Sequence, residues 1–167
     1  MSDRFCGEIE IGGTIRRQDI QALADAIAAE GVSLDWGDGS VGVEEIKELI
    51  EEAAKKGETL TFRDDQAAYG EFTELEELCQ KLKVAYKRSS EAKYDYDGEL
   101  VLFLPGRMKN PCTMNATQDG EPTVALSVLQ EYHTRKKTLA QVIKELAEAE
   151  AKVPPVKIVD NAGFAKN

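Results

Sequence analysis

The sequence has little of what usually announces an activity. It holds a single histidine, His133, and a single tryptophan, Trp36. Its three cysteines, Cys6, Cys79 and Cys112, are odd in number and far apart. That argues against a disulfide framework and a paired-cysteine zinc site, and three reduced thiols are expected. No apolar run approaches the roughly 20 residues that span a bilayer. The segment Met1-Ser2-Asp3-Arg4 leads into an alternating stretch rather than a signal-type apolar one. A soluble, cytoplasmic protein with no membrane partner is therefore expected. The nucleophile pattern GxSxG is missing, so His133 has no obvious catalytic companion and reads as an exposed histidine. Gly12-Gly13 lies between a strand and a helix but lacks the spacing of a phosphate loop, and Arg16-Arg17 do not supply it.

What the sequence has in excess is negative charge. The net charge is −10 over 167 residues. Residues 1–57 carry −7, 58–100 carry −5, 101–134 carry −1 and 135–167 carry +3. An acidic body repels phosphate backbones, so direct nucleic-acid binding is not expected, whereas a basic protein surface would be attracted. With 42% hydrophobic residues the chain is globular in composition, and its length suits one domain.

Hydrophobic periodicity sets the element order. Residues 5–11 and 58–63 alternate as half-buried strands, with Leu60 and Phe62 inward in the second. Residues 15–30 show a helical stripe at Ile20, Leu23, Ala24 and Ile27, with Thr14 a candidate N-cap and Gly31 following the C-terminus. Helices are also expected over 43–56, 70–83 and 138–151, the last with Leu139, Val142, Ile143 and Leu146 inward. Residues 84–88 make a short strand and 99–104 the most apolar one, expected to be central. Residues 105–123 read as a long loop or irregular hairpin, and 124–133 fit strand and helix equally. The expected fold is α+β, a mixed, mainly antiparallel sheet of about four strands with helices packed on it. A single domain over 1–152 and an extended C-terminal arm over 153–167 complete it.

Binding residues follow from the charge map. The apolar stripe of 43–56 turns Glu44, Glu45 and Glu48 outward, and that of 70–83 does the same for Glu71, Glu74 and Glu77. Asp35-Trp36-Gly37-Asp38-Gly39-Ser40 fails the EF-hand pattern, since Gly37, Gly39 and Ile46 stand where ligands belong. A turn with Trp36 packed on the core is the simplest reading, and a contact surface the alternative. Tyr94 and Tyr96 alternate with Asp95 and Asp97, a mixture common at protein contacts. Asp64-Asp65 lacks a third ligand for hydrolytic or metal chemistry.

These features favour a non-enzymatic protein that contacts a basic partner through its acidic faces, with no cofactor or metal. One form is an inhibitor or nucleic-acid mimic of the kind carried by mobile elements. The alternative is a small enzyme or ligand-binding domain built on Asp35, Asp38 and the segment around Tyr94 and Tyr96.

Overall fold

A computed structural model describes residues 3–92, 97–117 and 120–160. Its elements are β1 (Arg4–Gly12), β2 (Thr14–Arg16), α1 (Ile20–Ala29), α2 (Val43–Lys56), β3 (Leu60–Ala68), α3 (Thr73–Leu82), β4 (Ala85–Ser90) and β5 (Gly98–Phe103). There follow β6 (Cys112–Ala116), β7 (Pro122–Thr123), α4 (Leu126–Thr134), α5 (Leu139–Ala147) and β8 (Lys157–Val159). The main sheet has six strands in the order β3-β1-β4-β5-β6-β7, and every neighbouring pair is antiparallel. The class is α+β.

The sheet has six strands rather than about four because β6 and β7 lie inside the stretch that reads as loop. Cys112-Thr113-Met114-Asn115-Ala116 does alternate apolar and polar, but its apolar members are small or unbranched and Pro111 precedes them; pairing with β5 makes it a strand. Pro122 lacks an N–H, which an edge strand such as β7 tolerates. The first helix also begins later than its stripe suggests. Thr14–Arg16 is a strand paired in parallel with β8, Ile15 is fully buried, and a 3-10 turn over Arg17–Asp19 precedes α1. Thr14 is therefore not an N-cap: tertiary pairing wins over local helical propensity.

One sheet face carries the main core. Ile9, Ile11, Phe62, Tyr86, Val101 and Phe103 meet the buried stripes of α1, α2 and α3, including Leu23, Ile27, Ile46, Ile50, Leu75 and Cys79. The other face carries a smaller core of Ala85, Leu102 and Leu104, covered by Val153 with Met108 and Ala151. Ala151 and Val153 thus cover the second face, and the chain then crosses at Gly12-Gly13 so that Val156 and Ile158 join the main core as β8 pairs with β2. The crossing is close: Gly13 N–H donates to the Pro154 carbonyl at 2.8 Å, and a Cβ built on Gly12 would fall 2.1 Å from that oxygen.

α5 departs from expectation. Of its stripe only Val142 is buried, while Leu139 is 74% and Ile143 56% exposed. No residue of α4 is buried. These helices flank the sheet at the β6–β7 edge rather than covering a core.

Candidate functional site

The helical layer places the acidic residues. α1 packs against both α2 and α3. Val41, just before α2, donates its N–H to Val32 just after α1 at 2.9 Å. Leu75 N–H in the first turn of α3 donates to Glu30 Oε1 at 3.3 Å. The C-terminus of α1 therefore lies beside the N-termini of α2 and α3. That alignment brings Glu44 and Glu45, in the first turn of α2, to the same end of the layer as Glu71 and Glu74. Glu48 and Glu77 lie a turn further along, and all six side chains are exposed. Only Glu44 of the six has an ion-pair partner among the described residues, Lys47 at 2.7 Å.

Glu30 sits half-buried beside Glu71 and Glu74. Burial pushes its carboxyl above the ordinary glutamate range; the Leu75 N–H opposes this, and Glu74, Glu76 and Asp64 push it further up. Acids in the first turns of α2 and α3 complement the helix dipoles, whereas Glu30 stands at the negative end of α1. Glu30, Asp64, Glu71 and Glu74 line a recess of about 340 Å³ with Arg4 at its side. No group of three or more metal-ligating side chains is assembled among the described residues. Asp64 instead accepts the Gln66 N–H at 2.8 Å as a turn, and Asp65 is exposed.

Trp36 is not packed on the core. It is 49% exposed, with the Arg63 guanidinium carbon 5.4 Å from its ring centroid. Arg63 also pairs with Glu8 at 2.8 Å and Asp35 at 3.3 Å. The ring lines a separate concavity with Cys6, Glu8, Ser89 and Ser90, on the sheet face away from α1, α2 and α3. The structure thus puts Glu44 and Glu45 at the same end of the helical layer as Glu71 and Glu74, with α1 between the two pairs, and leaves Trp36 round the β3 edge. Tyr94 and Tyr96 lie outside the described residues. His133 is exposed at the end of α4.

Two features go beyond the sequence reading. Glu30 carries a signal of its own, an acid at a helix C-terminus where the dipole disfavours it. Gly37, Gly39 and Gly42 have the GxGxxG spacing and run into the N-terminus of α2. The dinucleotide fingerprint needs a strand before its first glycine; here α1 and a loop precede it, and Glu44 and Glu45 occupy the helix turn that would face the phosphates.

The cysteines lie in β1, α3 and β6 and form no disulfide with one another. Burial, then Glu76, pushes the Cys79 thiol up to about 12, so it is no nucleophile at neutral pH. A buried ion cluster ties α3 to the sheet. Arg88, 3% exposed, lies with Nε 2.8 Å from Glu76 Oε1, an ion pair without hydrogen-bond alignment. It also donates to Glu99 and to the Gly70 carbonyl. Arg88 and Glu76 are shielded by core, while the Glu99 side chain reaches the surface at 36% exposure. No helix among the described residues is long and apolar enough to cross a membrane.

No protein-family model, curated protein or solved structure matches the chain.

Proposed function

We propose that the chain is a non-enzymatic binding protein that docks the acidic end of its helical layer on a basic surface of a protein partner. The observation that supports this reading is the run of exposed acids at one end of the helical layer, Glu71 and Glu74 beside Glu30 and Glu44 and Glu45 on the other side of α1. Helix dipoles account for acids in the first turns of α2 and α3. They do not account for Glu30, or for Glu48 and Glu77 further along. A cationic partner would relieve this repulsion and be steered to it. In a specific form of the reading, the carboxylates stand in for nucleic-acid phosphates and the protein inhibits a partner that binds nucleic acid.

The test is capture of a partner from the native host, identified by mass spectrometry, followed by association kinetics. The variant carries Glu44→Lys, Glu45→Lys and Glu48→Lys. At low salt the association rate should fall by about tenfold or more, and the wild-type rate should fall as salt rises. A folded variant that associates at the wild-type rate removes α2 from the site. Competition by duplex DNA for the same partner separates a nucleic-acid mimic from a general acidic ligand.

A further inference from the structure

The large exposed apolar side chains fall into two groups of opposite electrostatic setting. Leu34 and Trp36 lie on the loop that carries Asp35 and Asp38, with Arg63 against the Trp36 ring and Asp35, while Tyr69 stands apart just after β3. Leu126, Val128, Leu129, Leu139 and Ile143 lie on α4 and α5. The loop joining those two helices is Arg135-Lys136-Lys137, and residues 126–144 carry a formal charge of +3 in a chain of −10.

The second group frames a groove. Between the β6–β7 edge and the two helices lies a hollow of about 250 Å³ lined by Met114, Val124, Val128, Tyr132 and Leu146. Helical geometry makes its walls continuous with the exposed residues. On α5, Leu139 and Ile143 share a stripe with Leu146, at spacings of seven and three residues, and on α4 Leu126 and Leu129 share one with Tyr132, at spacings of six and three. The apolar surface therefore runs from the groove floor out over both rims, with cations at its end.

We propose that this groove receives the Leu34-Asp35-Trp36-Gly37-Asp38 loop of a second copy of the chain. Trp36 supplies a large aromatic anchor, the residue type that dominates small interfaces when it enters a pocket. The groove supplies apolar walls, and Asp35 and Asp38 meet the Arg135-Lys136-Lys137 loop. Charge decides between occupants. An anionic lipid surface would match the cations and leucines, but the rest of the molecule, which is strongly acidic, would be repelled by it. A second copy brings the matching charge and the matching anchor together. The loop and groove are different surfaces, so each molecule offers one of each, and the contact is heterologous unless two such contacts close a pair. The inference goes beyond the acidic-rim reading and uses none of its six glutamates, so either can fail alone.

The experiment uses the full chain and its single tryptophan. Sedimentation velocity at low salt should show size rising with concentration across the micromolar range. Trp36 emission should shift to the blue over the same range, and about 0.5 M salt should reverse both changes. Trp36→Ala, and separately Leu139→Glu with Ile143→Glu, should each abolish association while circular dichroism shows a native fold. Mixing these two variants should restore association, because one keeps the groove and the other the loop. Should the groove variant fail to fold, Lys136→Glu with Lys144→Glu replaces it with the same expected loss. A wild type that stays monomeric with unchanged emission overturns the proposal. So does a mixture that does not associate, or groove-dependent binding to phosphatidylserine vesicles without self-association.

Discussion

At the scale of single residues, burial decides how a charge behaves. Arg88 is enclosed by β4, α3 and β5; its partner Glu76 is shielded with it, and Glu99 is partly exposed. A buried pair can be no more stable than a well-packed apolar substitute, but removing one partner strands the other. Arg88→Ala should therefore cost about 3–5 kcal/mol. Arg88→Met combined with Glu76→Gln and Glu99→Gln should recover most of that loss, as read from the denaturant midpoint. Equal losses in the two variants would mean that shape, not stranded charge, sets the cost. Glu30 is the opposite case. Its carboxyl is held above the ordinary range, chiefly by burial, so the native state keeps a proton that the unfolded chain has already released. Stability then falls as pH rises through that interval. Glu30→Gln keeps an oxygen to accept the Leu75 N–H and removes the charge. The difference in stability between variant and wild type should grow in favour of Gln as pH rises from 4 to 7, by parallel urea titrations (an interval set by the ordinary glutamate range). A difference independent of pH would place Glu30 outside that account.

At the scale of elements, the strands with strong alternation and the helices with full stripes were legible, and those held by tertiary pairing were not. Val43–Lys56 is the helix its stripe describes, closed by Gly57 at φ +70°. β5 is buried on both faces, as its unbroken apolar run implies. β2 gave no local sign, because a pairing partner distant in sequence makes it a strand, and the short alternation of β6 is masked by the turn residues around it. The candidate site divides in the same way. The outward direction of Glu44, Glu45 and Glu48 follows from one stripe. That Glu44 and Glu45 share an end of the layer with Glu71 and Glu74 depends on how α1 packs between two helices, which no local pattern records. α5 makes the complementary point: its stripe is helical, yet periodicity cannot say whether anything covers it. Two substitutions separate these cases. Phe103→Ala, at a ring that packs against Tyr86 with centroids 5.9 Å apart, should cost about 3–5 kcal/mol. Leu139→Ala, on the uncovered side of α5, should change stability by no more than about 0.5 kcal/mol. Thermal and denaturant unfolding of dilute protein measure both, and a large loss at Leu139 would show that α5 is covered within the monomer.

At the scale of the whole molecule, the two sheet faces are closed by different parts of the chain. The helices over one face come from residues 20–82, whereas the other face waits for Ala151 and Val153, and the same segment then adds Val156 and Ile158 to the edge of the main core. Arg17 reaches Asp160 at 2.7 Å, so this closure joins positions 143 residues apart. Such a clasp has a kinetic meaning. Loop-closure entropy must be met before the β2–β8 pairing returns anything, so the clasp should form last and open first. Its opening would bare Leu102 and Leu104, a patch able to recruit another chain, while the helical layer stayed intact. Hydrogen exchange should show Ile158 and Gly13 amides losing protection at a lower free energy than those of β1 and β4. Gly12→Ala, which puts a methyl where the Pro154 carbonyl now lies, should widen that gap and speed proteolysis at 151–156. The pace at which this protein is cleared or aggregates would then be set by a ten-residue fastening, rather than by the stability of its main core.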